Sequence, residues 1–179
     1  MGNLIMLKGL GKWKVLNSKE VRVVVELVKQ QWGADLSDIR NSCGFLESSD
    51  GDIFVISRDI EKLDLENLRI DSLGLYFGQV RNPNRERSIG PSRNSDLGAE
   101  IRLSIEGSQM VGKFAATNIV EINSEELRQW LTGNDLEKDY GRCSGYVIIK
   151  HNNDFFGCGK CKDGKILNFV PKARRVSNL

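Results

Sequence analysis

Residues 145–176 read GYVIIKHNNDFFGCGKCKDGKILNFVPKARRV, three β-forming runs separated by two polar turns. In Tyr146–Ile149 and Ile166–Val170 the apolar residues are nearly continuous, as in strands covered on both faces. HNND and the Asp163-Gly164 pair supply the turn chemistry between them. The pattern predicts a β-meander after Gly145.

The same region concentrates positive charge. Residues 142–179 carry eight Lys or Arg against Asp154 and Asp163, whereas residues 1–141 carry 18 basic residues against 22 acidic ones. The net charge of +2 for all 179 residues therefore hides a basic C-terminal segment and an acidic remainder. A basic cluster spanning a whole β-rich segment points to a polyanion partner.

Upstream, NSEELRQWLTG (123–133) reads as a short helix capped by Ser124, with Glu125 and Glu126 favourably placed in its first turn. EIRLSIEG (100–107) and MVGKFAATNIVEI (110–122) read as strands. Between them, GSQMVGKF (107–114) has the glycine spacing of a phosphate-binding P-loop. That loop needs a helix after its glycines, and FAATNIVEI, β-branched and apolar, does not look like a helix start. Phe114 also replaces the hydroxyl that would ligand Mg²⁺. The expectation is that Gly107-Ser108 forms a hairpin turn.

Residues 44–57, GFLESSDGDIFVIS, form a second hairpin signal through Asp50-Gly51, and LRIDSLGLYFGQV (68–80) continues as strand. SKEVRVVVELVKQQW (18–32) sets Val21, Val24, Val25, Val28 and Trp32 on one helical stripe, with Ser18 as the expected cap and Gly33 past the end. RNPNRERSIGPSRNSDLG (81–98) is an exposed loop whose Arg81, Arg85, Arg87 and Arg93 could grip phosphates or simply solubilise. The acidic EKLDLEN (61–67) reads as a solvated face.

Reactive residues form no recognisable constellation. Cys158-Gly-Lys-Cys161 has metal-ligand spacing, and Cys143 and His151 could complete a set of four, but residues three apart on a strand face opposite ways. The favoured reading makes Cys158 and Cys161 small buried thiols, with no metal and no cofactor. Four cysteines are too sparse for a disulfide framework. His151 is the one histidine, with no serine or cysteine in a nucleophile setting, so no catalytic residue is assigned. No apolar run approaches a membrane span, and the four apolar residues before Lys8 do not make a signal peptide, so a cytoplasmic location is expected.

The helix NSEELRQWLTGNDL followed by the meander resembles a PUA domain, the small pseudobarrel of RNA-modifying enzymes and ribosome-assembly factors. It is most similar to the RNA-binding tail of the Nop/Sun-type rRNA cytosine methyltransferases. Those tails share a strand–Gly-x-Gly-Lys–Asp-Gly–strand–Asn-x-x-Pro-Lys pattern, matched here by Gly157, Gly159, Lys160, Asp163, Gly164, Asn168, Pro171 and Lys172. The resemblance covers roughly residues 100–176. It implies an α+β chain with a pre-PUA-like α+β domain over 1–111 and a PUA-like RNA-binding domain over 112–179, as in small ribosome-biogenesis proteins of that layout. The methyltransferase half, with its S-adenosylmethionine loop and its Pro-Cys or Thr-Cys motif, has no counterpart in this sequence, so the RNA-binding role carries over and the activity does not.

The expected RNA surface comprises Lys150, Lys160, Lys162, Lys165, Lys172, Arg174 and Arg175 as phosphate partners, with Asn168 from the shared pattern. Gly157 and Gly159, lacking a Cβ, would let an RNA backbone approach the strand. The function expected is non-catalytic binding of rRNA or tRNA during maturation or ribosome biogenesis. The alternative is an adaptor whose acidic N-terminal region docks an RNA-modification or ribosome-assembly protein.

Overall fold

The structure is a computed structural model that describes residues 13–59, 73–81, 98–137, 140–141 and 143–177. The loop arginines Arg85, Arg87 and Arg93, the EKLDLEN stretch and the apolar run before Lys8 lie outside the described residues. The chain is α+β with two sheets.

The first sheet is antiparallel, in the order β1 (Trp13–Val15), β2 (Cys43–Ser48), β3 (Asp52–Ser57), β4 (Leu75–Arg81) and β5 (Glu100–Leu103). The β2–β3 hairpin forms as expected, with Gly51 at φ +77. Helix α1 (Ser18–Trp32) buries Val21, Val24, Leu27, Val28 and Trp32 against this sheet, so packing holds a β-branched run of modest helix propensity. Gly33 ends it in the left-handed conformation, as expected. The start differs from expectation: the cap is Asn17, whose side chain accepts from the Glu20 amide while the Glu20 carboxylate accepts from the Asn17 amide. This capping box needs Glu three residues after the cap, which Asn17 has and Ser18 lacks. Helix α2 (Ser37–Ser42) is a short turn leading into β2.

The second sheet runs β6 (Ile119–Glu121), β7 (Gly145–His151), β8 (Asp154–Lys162) and β9 (Lys165–Asn168). The β7–β8–β9 meander turns at Asn152 and at Asp163-Gly164, where Asn152 and Asp163 adopt φ +53 and +51. β6 pairs with β7 in parallel, and helix α4 (Ser124–Thr132) makes the crossover that parallel pairing requires. Here too the cap is the preceding Asn123, in a box with Glu126. Strand β7 is buried on both faces: Tyr146 and Ile148 join the core beneath α1, while Val147 and Ile149 join a second core around Trp130.

Residues 105–112 overturn the hairpin expectation. They form helix α3 (Ile105–Gly112), starting directly after β5. Ser104 caps it, accepting from the Gly107 amide at 2.8 Å and donating to the Tyr76 carbonyl. Two glycines and a serine make a poor helix former, so tertiary packing decides the conformation. α3 lies between β4 and β8. Gly107 faces the Phe77 carbonyl and Gly112 the Phe155 ring, both too close for a side chain. The P-loop reading stays rejected on a new ground, since Gly107 and Gly112 are used for packing inside the helix.

Candidate nucleic-acid interface

β8, β9 and the 3-10 turn Lys172–Arg174 position the basic side chains singled out in the sequence. Much of that charge is already engaged. Lys160 reaches Glu100 at 2.7 Å across the two sheets and stands 4.8 Å from the Tyr146 ring centroid. The Glu100 hydrogen bond and charge raise its pKa despite partial desolvation. Lys150 pairs with Glu121 and Lys165 with Glu137, each at 3.3 Å, and Arg174 pairs with Glu106. Arg175 turns inward, donating from Nε to the Val170 carbonyl while its stem covers Gly133. Lys162 and Lys172 are exposed and enter no ion pair among the described residues.

Gly159 does different work from the one expected. A Cβ on Gly159 would run into Ile166 Cγ2 and come within 3.0 Å of Trp130 Cη2, so Gly159 faces the core and offers no approach for an RNA backbone. It makes room for the Trp130 ring, whose indole nitrogen donates to the Phe156 carbonyl at 2.8 Å. Gly157 sits at φ +109, a conformation that favours glycine, and has only Ile105 Cγ1 at 3.4 Å from its missing Cβ. Asn168 is a structural staple. Its side-chain amide donates to the carbonyls of Trp130 and Asn134, its Oδ1 accepts from the Val170 amide, and its own amide donates to Asp135.

The cysteines also depart from expectation. Cys161 is joined to Cys143 in a disulfide with Cα atoms 6.1 Å apart. Opposite-facing side chains at positions 158 and 161 explain it: Cys161 is opposite Gly145 in the ladder and points toward Cys143. Cys158 turns the other way and is the buried thiol expected, its pKa pushed up to about 12 by desolvation. His151 holds the Ile122 carbonyl through Nδ1 at 2.7 Å. Among the described residues no three His, Cys, Asp or Glu gather as a metal site.

Sequence reading missed a groove of about 470 Å³ where the sheets meet, lined by residues of β4, β5, α3, β8 and segment 169–174. Arg102 and Phe169 meet there, the guanidinium 5.2 Å from the ring centroid. No local pattern signals this contact, because one partner sits on β5 and the other just past the end of β9.

Residues 117–176 match the family described as Methyltransferase RsmF PUA domain. The C-terminal sheet region therefore matches a PUA domain of the RsmF type, a distant similarity to rRNA methyltransferases. The chain is 26% identical over 107 residues to ribosomal RNA small subunit methyltransferase F of Aeromonas salmonicida, covering 58% of this chain and 22% of that protein. It is 26% identical over 95 residues to the enzyme of that name from Vibrio cholerae, covering 49% and 20%. The chain thus spans about a fifth of the length of the curated relatives it matches. No described helix is long and apolar enough to cross a membrane.

Proposed function

We propose that this protein binds RNA through its PUA sheet and serves rRNA or tRNA maturation or ribosome biogenesis without chemistry of its own, in the cytoplasm. The match of residues 117–176 to a methyltransferase PUA domain carries the reading. The excess of eight basic over two acidic residues across 142–179 supports it. RNA helices are read largely by shape and by phosphate and 2′-hydroxyl contacts, which a basic sheet edge without a long reading helix can make. In this reading the pre-PUA-like region spans 1–111 and the RNA-binding domain 112–179.

Lys162 and Lys172 supply the first phosphate contacts because no carboxylate among the described residues must be displaced. Lys150, Lys160, Lys165 and Arg174 can join only by exchanging Glu121, Glu100, Glu137 and Glu106 for phosphate. The test is the salt dependence of affinity for an rRNA fragment. Lys162→Ala with Lys172→Ala is expected to lower the magnitude of d log K/d log[salt] by about 1.4–1.8, at roughly 0.7–0.9 per lost contact. Unchanged affinity and slope in a folded double variant would remove this surface from RNA binding.

The carboxylates that neutralise four of the basic side chains favour one second reading, a protein-docking adaptor. Partner association that survives nuclease treatment and ignores the double variant would put it first.

A further inference from the structure

The groove between the sheets combines features that neither the PUA match nor the basic surface requires. Leu75, at its mouth, is 56% exposed, although it is a large apolar residue in a strand. Phe169 and the side-chain-free backbone at Gly157 contribute to the lining. Arg102 is half-buried in the wall, stacked on Phe169 and facing the Tyr76 hydroxyl. None of the ion pairs among the described residues neutralises Arg102. A partly desolvated guanidinium without a carboxylate is a standing site for an external anion.

About 470 Å³ lies within the range of small-ligand clefts, roughly 300–1,000 Å³. An apolar peptide side chain could fill the space but would leave Arg102 unanswered. A ligand that joins a flat apolar ring to an anionic oxygen satisfies both parts of the wall. We propose that this groove receives one unstacked RNA nucleotide, its base against Phe169 and Leu75 and its phosphate on Arg102. The inference rests on the RNA-binding reading and adds to it a preference for unpaired nucleotides, since stacking on an aromatic or guanidinium face requires a base freed from its helix. Gly157 matters because a side chain there would project toward Ile105 at the groove floor.

The test compares a fully paired RNA duplex with the same duplex carrying a single bulged nucleotide, using the full chain. Wild type is expected to bind the bulged duplex about tenfold tighter, the lower end of the energy of one base–aromatic stack. Arg102→Met, which keeps an unbranched apolar side chain and removes the guanidinium over Phe169, is expected to lose that preference while retaining affinity for the paired duplex within about twofold. Leu75→Ser, at an exposed position where folding is not at stake, should reduce the preference in the same way. Equal affinity of wild type for the two duplexes would overturn the groove assignment and leave the RNA reading standing. Folded variants that keep the full preference would equally exclude the groove. Failure of wild type to bind either duplex would overturn both proposals together.

Discussion

Gly112 lies flat against the Phe155 ring: a Cβ on Gly112 would stand 2.5 Å from Cδ1 and 2.6 Å from Cε1 of that ring. One residue ends α3 and the other is the second of β8, so this contact sets how closely the helix approaches the second sheet. Gly112→Ala should gain up to about 1 kcal/mol of helix propensity. Overpacking against the ring is expected to outweigh that gain, leaving a net loss of about 1–2 kcal/mol. Urea denaturation measures it, and Phe155→Leu in the same chain should restore part of the loss through coupling. A neutral or stabilised Gly112→Ala would show that the ring yields freely.

Gly159→Ala should destabilise by about 1–3 kcal/mol, because the new methyl enters the space between Ile166 and the Trp130 ring. Its effect on RNA affinity, measured on the folded fraction, should be slight. A stable variant with lost affinity would return Gly159 to the RNA surface.

Without reductant, a native alkylation experiment read by mass spectrometry should label Cys43 alone, since Cys143 and Cys161 are joined and Cys158 is buried. Mild reduction should expose Cys143 and Cys161 and leave Cys158 protected, because burial holds its thiol near pKa 12. The bond closes a loop with a sequence separation of 18. Reduction should therefore cost about 3 kcal/mol, or about 6–12 °C in Tm. Rapid labelling of Cys158 in the native protein would contradict the packing described.

Stability should fall on the alkaline side. Burial raises the pKa of the Cys158 thiol from 9.0 to about 12, and that of the Tyr140 hydroxyl from 10.0 to about 12. In each case the native state keeps a proton that the unfolded chain releases, so unfolding becomes easier as pH rises above the unfolded pKa. Cys158 alone should withdraw roughly 1.4 kcal/mol by about pH 10. Lys160, raised first by its Glu100 hydrogen bond, loses its contribution above its own unfolded value. Thermal melts at about pH 8 and pH 10 check the slope, and Cys158→Ala should flatten its first part.

The meander and both long helices were legible in sequence because their signals are local. Asp-Gly pairs, helical periodicity and apolar runs depend on neighbours within a few residues. The caps show how fine that reading can be: Asn17 and Asn123, each three residues before a Glu, satisfy the capping box that Ser18 and Ser124 do not. Helix α3 was not legible, since Gly107 and Gly112 favour no regular structure by themselves and take their conformation from Phe77 and Phe155. Of the candidate site, sequence identified the basic residues and their strands. It could not show that Lys160 spans to Glu100, that Asn168 is consumed in the fold, or that Arg102 meets Phe169. Each of those depends on elements brought together only by the finished sheets.

The placement of α3 has a consequence for synthesis. The ribosome delivers all five strands of the first sheet and then α3 before any residue of β8 exists. During that interval α3 packs on β4 and β5 alone, and the Gly112 face that later meets the Phe155 ring is uncovered. The helix, weak by composition, lacks one of its two packing faces until Phe155 arrives. Synthesis of β8, rather than completion of the first sheet, is therefore the event that locks α3. A chain arrested before residue 155 should be a better client for a holding chaperone than its nearly finished first sheet would suggest.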